Sequence, residues 1–428
     1  MMTTTMASSN GVSESLPNGA PNRSSPTIPK VSILPVSYDG SDSEKSALRI
    51  IHAVRPEWNA PAANIKFIRC TDGITNTLLK AINDVKGATP EEIDREALLL
   101  RAYGNGTHVL IDRQREAENH ELLMAHGLAP ELLARFQNGM VYRFIRGSVT
   151  STADLQNPDV YTAIARRLAE WHARIPCLPS TPGADPASNG DSELSKRRQS
   201  IDSAAPGKPA PNLWTVMQKW IFALPTDTEE QRQRQARLQA ELNQLVKDLS
   251  QRPGLGKNGL VFAHCDLLHG NIIIEPSQAT SKDISVSFID YEYAVPSPAA
   301  FDISNHFAEW AGFECDYSRL PSRSQRRDFI RQYIERYFSF LPGGGESVDL
   351  EEETRKLLEE VDAYRGLPGF YWGIWALIQA LISEIDFDYA TYAEHRLNEY
   401  WAWKGEVDGS REKEGKDLPL REQRWAED

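Results

Sequence analysis

Short apolar runs of β-type composition, separated by turn residues, dominate the chain from Ile65 to about Ile145, and helical periodicity dominates most of the chain beyond it. IKFIRC, NTLLKAI, ALLLRAY and HVLI read as strands, the first two joined by a DGIT turn, and DRQREAENHELLMAHG reads as a helix. LLARF and MVYRFI flank Asn138 and Gly139, which suit a tight turn, so they predict a hairpin. Together these runs describe a small sheet-based lobe carrying one helix. PDVYTAIARRLAEWHARI predicts a long helix after Asn157. Glu229 to Leu249 predicts a polar amphipathic one with leucines at 238, 242, 245 and 249. That repeat is too brief for a coiled coil and suits a bundle helix. Strands return at GLVFAH, NIIIEP and ISVSFID, and helices fill the remainder to about Lys404.

Residues 1–29 are rich in Ser, Thr, Asn and Pro and are expected to be disordered. The Pro-, Ser- and Gly-rich stretch 179–211 is expected to be a flexible insertion, and the charged tail 405–428 to fray. The expected division is an N-terminal lobe over 30–147 and a C-terminal lobe over 148–404. The longest apolar run, LPGFYWGIWALIQALIS from Leu367, raises the membrane question. Pro368, two glycines and Gln379 interrupt it and Glu384, Asp386 and Asp388 come directly after it, so a buried helix is expected, without stable membrane insertion. The start lacks a basic segment and an apolar core, which predicts a cytoplasmic address.

Composition narrows the function. With 60 Asp plus Glu against 47 Lys plus Arg among 428 residues, the net charge of −13 argues against a nucleic-acid partner. Asp283 to Ser318 alone holds seven acids and no Lys or Arg, which favours cationic ligands there. Cys70, Cys177, Cys265 and Cys315 lie far apart, suggesting neither a zinc ligand set nor disulfides, and fitting a reducing compartment. The oligomeric state is left open, a homodimer among the options.

The densest chemistry lies in VFAHCDLLHGNIII and ISVSFIDYEYA. Asp266 and Asn271 stand in a loop between apolar β runs at the separation of a kinase catalytic loop, and Asp290 ends a later strand. In that pattern Asp266 takes the acceptor hydroxyl proton, while Asn271 and Asp290 hold magnesium at the phosphates of ATP. His264 is grouped with Asp266, a role in fixing the loop being favoured over proton transfer. Cys265 is given no chemistry. Upstream, the turn bearing Gly73, Thr75 and Asn76 is the candidate cover for phosphates, an ordinary hairpin being the alternative. Arg101 is the candidate phosphate-gripping cation, with Glu116 as its helix partner.

GITNTLLK, LLLRAYGNGTHVLIDRQRE, VFAHCDLLHGNIII, FIDYEYAVPSPAAFDISNHFAEWAGF and FYWGIWALIQALISEIDFDYATYAEHR make the chain, from about Ile65 to Tyr400, similar to the choline/ethanolamine kinase family. The GITN turn, LRAYGNGT and NHFAEWAG resemble its ethanolamine branch. The resemblance implies an α+β, two-lobed protein-kinase-like fold and transfer of the γ-phosphoryl of ATP to ethanolamine. That reaction is the first step of the CDP-ethanolamine route to phosphatidylethanolamine. A choline or dual-substrate kinase, an antibiotic-type phosphotransferase and a non-catalytic scaffold are the alternatives. The family's amino-alcohol pocket matches Glu309, Trp372, Trp375 and Tyr392, and the segment after Asp316 and Tyr317 departs from the pattern, leaving open which tyrosine completes the pocket. Independently of the family, Trp372, Trp375 and Gln379 share one helix face, where indole rings could hold an ammonium opposite Glu309; core packing is the competing reading.

Overall fold

A computed structural model describes residues 31–70, 76–104, 106–177, 199–276, 283–346 and 348–428. The N-terminal segment 1–29, Gly73 and Thr75 of the expected phosphate-covering turn, and most of the 179–211 insertion lie outside the described residues.

Alternation along six strands builds the first layer. They lie in the order β1 (Ser32–Leu34), β5 (Leu132–Phe136), β6 (Gly139–Arg143), β4 (Leu98–Tyr103), β3 (Asn76–Asn83) and β2 (Ile65–Cys70). Within this sheet β1 and β5 pair in parallel and the other neighbours pair antiparallel; β5–β6 is the predicted hairpin. Leu98, Leu100 and Ala102 of β4 join Leu79, Ala81 and Val141 in a core closed by Ala47, Ile50 and Ile51 of α1 (Ser43–Val54). The intervening residues Leu99, Arg101 and Tyr103 therefore face the other way. On that side Ala117 of α3 (Arg113–Ala125) packs with Leu132, Met140 and Tyr142.

Among the described residues the lobe carries three α-helices rather than one, since α1 and α2 (Pro90–Glu96) join α3. HVLI is not a strand. Thr107–Val109 forms a 3₁₀ turn and Leu110 and Ile111 enter the second lobe's core, because Asp112 already caps α3 by accepting from Arg115 N–H.

In the second lobe β7 (Ser148–Val149) pairs with β9 (Ile272–Ile274), which pairs with β10 (Val286–Phe288), and β8 (Val261–Ala263) pairs with β11 (Val295–Ser297). Helices surround these ribbons: α4 (Pro158–Arg174), α5 (Leu213–Ala223), α6 (Glu229–Leu249), α7 (Ala299–Ala308), α8 (Arg323–Ser339), α9 (Leu350–Tyr364), α10 (Leu367–Ile382) and α11 (Tyr389–Val407). Trp171, Trp214, Trp220 and Trp310 are fully buried among them, and α6 turns its four leucines inward.

The long apolar run is α10, buried along most of its length, and among the described residues no helix is long and apolar enough to cross a membrane. Its glycines are packing notches. A Cβ on Gly369 would stand 2.7 Å from the Arg396 carbonyl oxygen, and one on Gly373 2.7 Å from Leu397 Cγ. Helix α11 therefore crosses α10 close to its backbone.

One expectation of flexibility is corrected, that the tail frays. The described end of the insertion is packed: Ala205 is buried and Lys208 Nζ donates to Asn258 O at 2.5 Å. The tail is ordered as α12 (Ser410–Lys413) and α13 (Leu420–Ala426). Trp425 helps to anchor it, lying 3.9 Å beneath the Arg326 guanidinium and donating from Nε1 to Asp362 Oδ1 at 2.7 Å, and Glu422 pairs with Arg365 at 2.9 Å.

Candidate active site

The loop after β8 turns sharply into a 3₁₀ turn at His269–Asn271, with Cys265 in the left-handed region at φ +63°. Such a conformation persists only where its surroundings hold it. Asp302 of α7 accepts from the backbone N–H of His264 at 2.8 Å and of Cys265 at 2.7 Å, and from His172 Nε2 at 3.0 Å. Asn305 Nδ2 donates to Cys265 O at 3.1 Å and His306 Nδ1 to Leu267 O at 2.8 Å. Helix α7 thus clamps the loop by its backbone and aims Asp266 outward into the cleft.

Asn271 Nδ2 donates to Asp266 O at 2.8 Å and to Asp266 Oδ2 at 3.1 Å. Asp266 Oδ1 is buried and has no hydrogen-bond partner among the described residues. Burial first, then the charges of Asp290, Glu309 and Glu292, raise the Asp266 carboxyl well above the usual carboxylate range. His264, grouped with Asp266 from the sequence, does not reach the cleft. It is fully buried against Trp171 and Phe288, its Nε2 donates to Ile289 O at 3.0 Å, and burial lowers its pKa to about 4. It ties the loop to the backbone just after β10.

A second cluster lies where the two lobes meet. Arg101 is buried on β4; Nη2 donates to Asp290 Oδ1 at 2.7 Å and to Glu292, and Nε lies 3.5 Å from Glu116 Oε1. Burial alone would lower its pKa, but Asp290, Glu116 and Glu292 raise it well above the usual value. Arg113, which the sequence pattern does not single out, donates to Glu116 at 2.9 Å, to Glu292 at 3.0 Å and to Asn76 Oδ1 at 3.3 Å. Two guanidinium groups thus face three carboxylates. The Asp290 side chain is 27% exposed, against 3% for Glu116 and Glu292, so it is the most accessible carboxylate of the cluster at the cleft, which Glu292 also lines.

One cleft of about 480 Å³ brings Asp266, Asn271 and Asp290 together with Glu309, Trp372, Trp375 and Tyr392. Gln379 is not on its wall. Trp372 Nε1 donates to Asn305 Oδ1 at 2.8 Å and Trp375 Nε1 to the Tyr293 hydroxyl at 2.8 Å, so both indoles are fixed. Tyr293 and Phe313 also line the wall, whereas Tyr317 lies outside it. Glu309 is buried, with Oε1 3.6 Å from Arg396 Nη2 and without a hydrogen bond among the described residues; burial raises its pKa and Arg396 opposes that. A larger groove of about 700 Å³ between α4 and α8 holds none of these residues, so volume alone does not pick the site.

A sheet lobe over a helical lobe, with a carboxylate-rich cleft where they meet, defines a phosphotransferase of protein-kinase-like build. The fold is shared with the solved ethanolamine kinase of Plasmodium vivax (25% identity, TM-score 0.59, covering 83% of this chain and 88% of that one). It is shared as well with a choline kinase from Cryptosporidium parvum (20% identity, TM-score 0.55, covering 86% and 97%). The family model described as Choline/ethanolamine kinase matches residues 67–401, and Ethanolamine kinase 1 of Mus musculus is 33% identical over 393 residues, 90% of this chain and 95% of that protein. The chain belongs to the choline/ethanolamine kinase family.

Proposed function

We propose that this chain phosphorylates ethanolamine with ATP and magnesium, forming phosphoethanolamine, the first step of the CDP-ethanolamine route to phosphatidylethanolamine. The observation that carries the reading is the single cleft in which a buried carboxylate, Glu309, and the rings of Trp372, Trp375 and Tyr392 stand beside Asp266 with its unpartnered Oδ1. The names of the relatives support the same acceptor. The ammonium sits against the aromatic faces with Glu309 as countercharge, and the hydroxyl reaches Asp266. As the hydroxyl oxygen bonds the γ-phosphorus and the bond to ADP breaks, the hydroxyl proton passes to Asp266 Oδ1. Arg101, which pairs with Glu116, Asp290 and Glu292, is the proposed phosphate-facing cation, with Arg113 beside it.

The residues fit magnesium. Asn271 commits its Nδ2 to Asp266 and keeps its amide oxygen, and Asp290 is the exposed carboxylate of a cluster with one more carboxylate than guanidinium groups. Asn271 and Asp290 would hold the ion, which when bound supplies neutralisation of phosphate charge. A cytoplasmic location accords with cysteines that form no disulfide.

A primary ammonium offers three N–H donors and a quaternary one offers none, so Glu309 should matter more for ethanolamine than for choline. Glu309→Ala is expected to raise the KM for ethanolamine by about tenfold or more, the scale of a lost charge-assisted hydrogen bond. Any choline turnover should change less. Equal effects in steady-state assays with both substrates would contradict the pocket assignment.

A further inference from the structure

We propose that Cys315, His395 and Glu399 form a second metal site, for a zinc-like divalent cation, that controls the acceptor pocket from behind. One ligand atom from each residue lies within 4.8 Å of the other two. His395 and Glu399 are one helical turn apart on α11 and so share a face. Cys315 reaches them from the segment between α7 and α8, in the left-handed region at φ +51°. A hollow of about 190 Å³ beside His395 and Glu399 opens to solvent and gives a cation a way in. Thiolate, imidazole and carboxylate are a zinc donor set with room for water as fourth ligand, unlike the all-oxygen pair Asn271 and Asp290.

The Tyr317 hydroxyl bridges two of these groups, donating to Glu399 Oε1 at 2.7 Å and lying 2.8 Å from His395 Nε2. A cation would replace that bridge, and the Cys315 thiol proton would leave to solvent as the metal–sulfur bond forms. The regulatory consequence comes from Arg396. Its Nε lies 3.2 Å from Glu399 Oε2 and its Nη2 3.6 Å from Glu309 Oε1. Once Glu399 is committed to a cation, Glu309 is the carboxylate left to Arg396, and the ammonium loses its countercharge. This second half rests on the proposed ethanolamine pocket; the metal site itself does not.

The test is titration of the full chain with Co²⁺ in the absence of nucleotide, followed by absorption, alongside kinetics with Zn²⁺. A thiolate-to-cobalt charge-transfer band is expected, displaced by Zn²⁺, absent in Cys315→Ser and weakened in the exposed-side variant His395→Gln. Zn²⁺ is expected to raise the KM for ethanolamine by about tenfold with kcat nearly unchanged, on the scale of one charge-assisted contact, and to do so far less in Cys315→Ser. No thiolate band, or the same band in Cys315→Ser, would overturn the site. A band without the KM effect would overturn the control of the pocket.

Discussion

At the scale of single residues, Asp266 is a charge the ligand-free fold tolerates rather than favours. It is buried, one oxygen lacks a partner among the described residues, and three other carboxylates push its pKa up. A carboxyl raised in this way binds its proton more tightly folded than unfolded. It therefore adds stability below its unfolded value of about 4 and loses it as pH rises through the higher folded value. Asp266→Asn escapes that loss. The variant is expected to melt higher than the native protein at pH 7 without ligands, while its turnover falls by about 10²–10⁴-fold with ATP binding retained. Melting curves against pH and single-turnover kinetics check both halves; a lower melting temperature with turnover intact would contradict them. Asp266, Asn271 and Asp290 were legible because one loop and one strand end carry them at a fixed spacing. Arg113, Glu292, Tyr293, Asp302 and Arg396 were not, because each acts on a partner distant in sequence, as Arg396 does on Glu309 across two helices.

At the scale of elements, the acceptor pocket depends on how closely α11 lies on α10. Gly369 has the Arg396 carbonyl and the Tyr400 amide where a methyl group would go, and backbone cannot step aside as a side-chain tip can. Gly369→Ala is expected to cost about 1–3 kcal/mol in urea unfolding. It should also raise the KM for ethanolamine, because α11 carries both Tyr392 and Arg396. An unchanged midpoint and KM would show that the helix pair adjusts freely. Periodicity revealed most long elements, including the four buried leucines of α6 and the hairpin at Asn138. It failed where a few residues decide. HVLI has strand composition but runs at once into the cap of α3, and the charged tail is held by Trp425 and Glu422, whose partners Arg326, Asp362 and Arg365 lie far back in the chain. The helix α1 was readable in principle, with Ala47, Ile50, Ile51 and Val54 at helical spacing.

At the scale of the whole molecule, the two lobes meet through charge as well as through the apolar contacts of Leu110 and Ile111. Arg101 and Arg113 of the sheet lobe hold Asp290 and Glu292 of the helical lobe, and Asn119 Nδ2 donates to Ala294 O at 2.9 Å beside them. The acidic stretch that composition flagged between Asp283 and Ser318 proves to supply Asp290, Glu292, Asp302 and Glu309, three facing the cleft and one clamping the loop that bears Asp266. Part of the chain's negative balance thus stands where a metal–nucleotide complex and an ammonium would bind. The most direct test is a set of initial-rate assays on the purified chain with ATP, magnesium and ethanolamine, monomethylethanolamine or choline, each product identified. The expected result is magnesium-dependent phosphoethanolamine formation, with kcat/KM falling as methyl groups replace the N–H donors. Turnover of none of the three, or a preference for choline over ethanolamine, would contradict it.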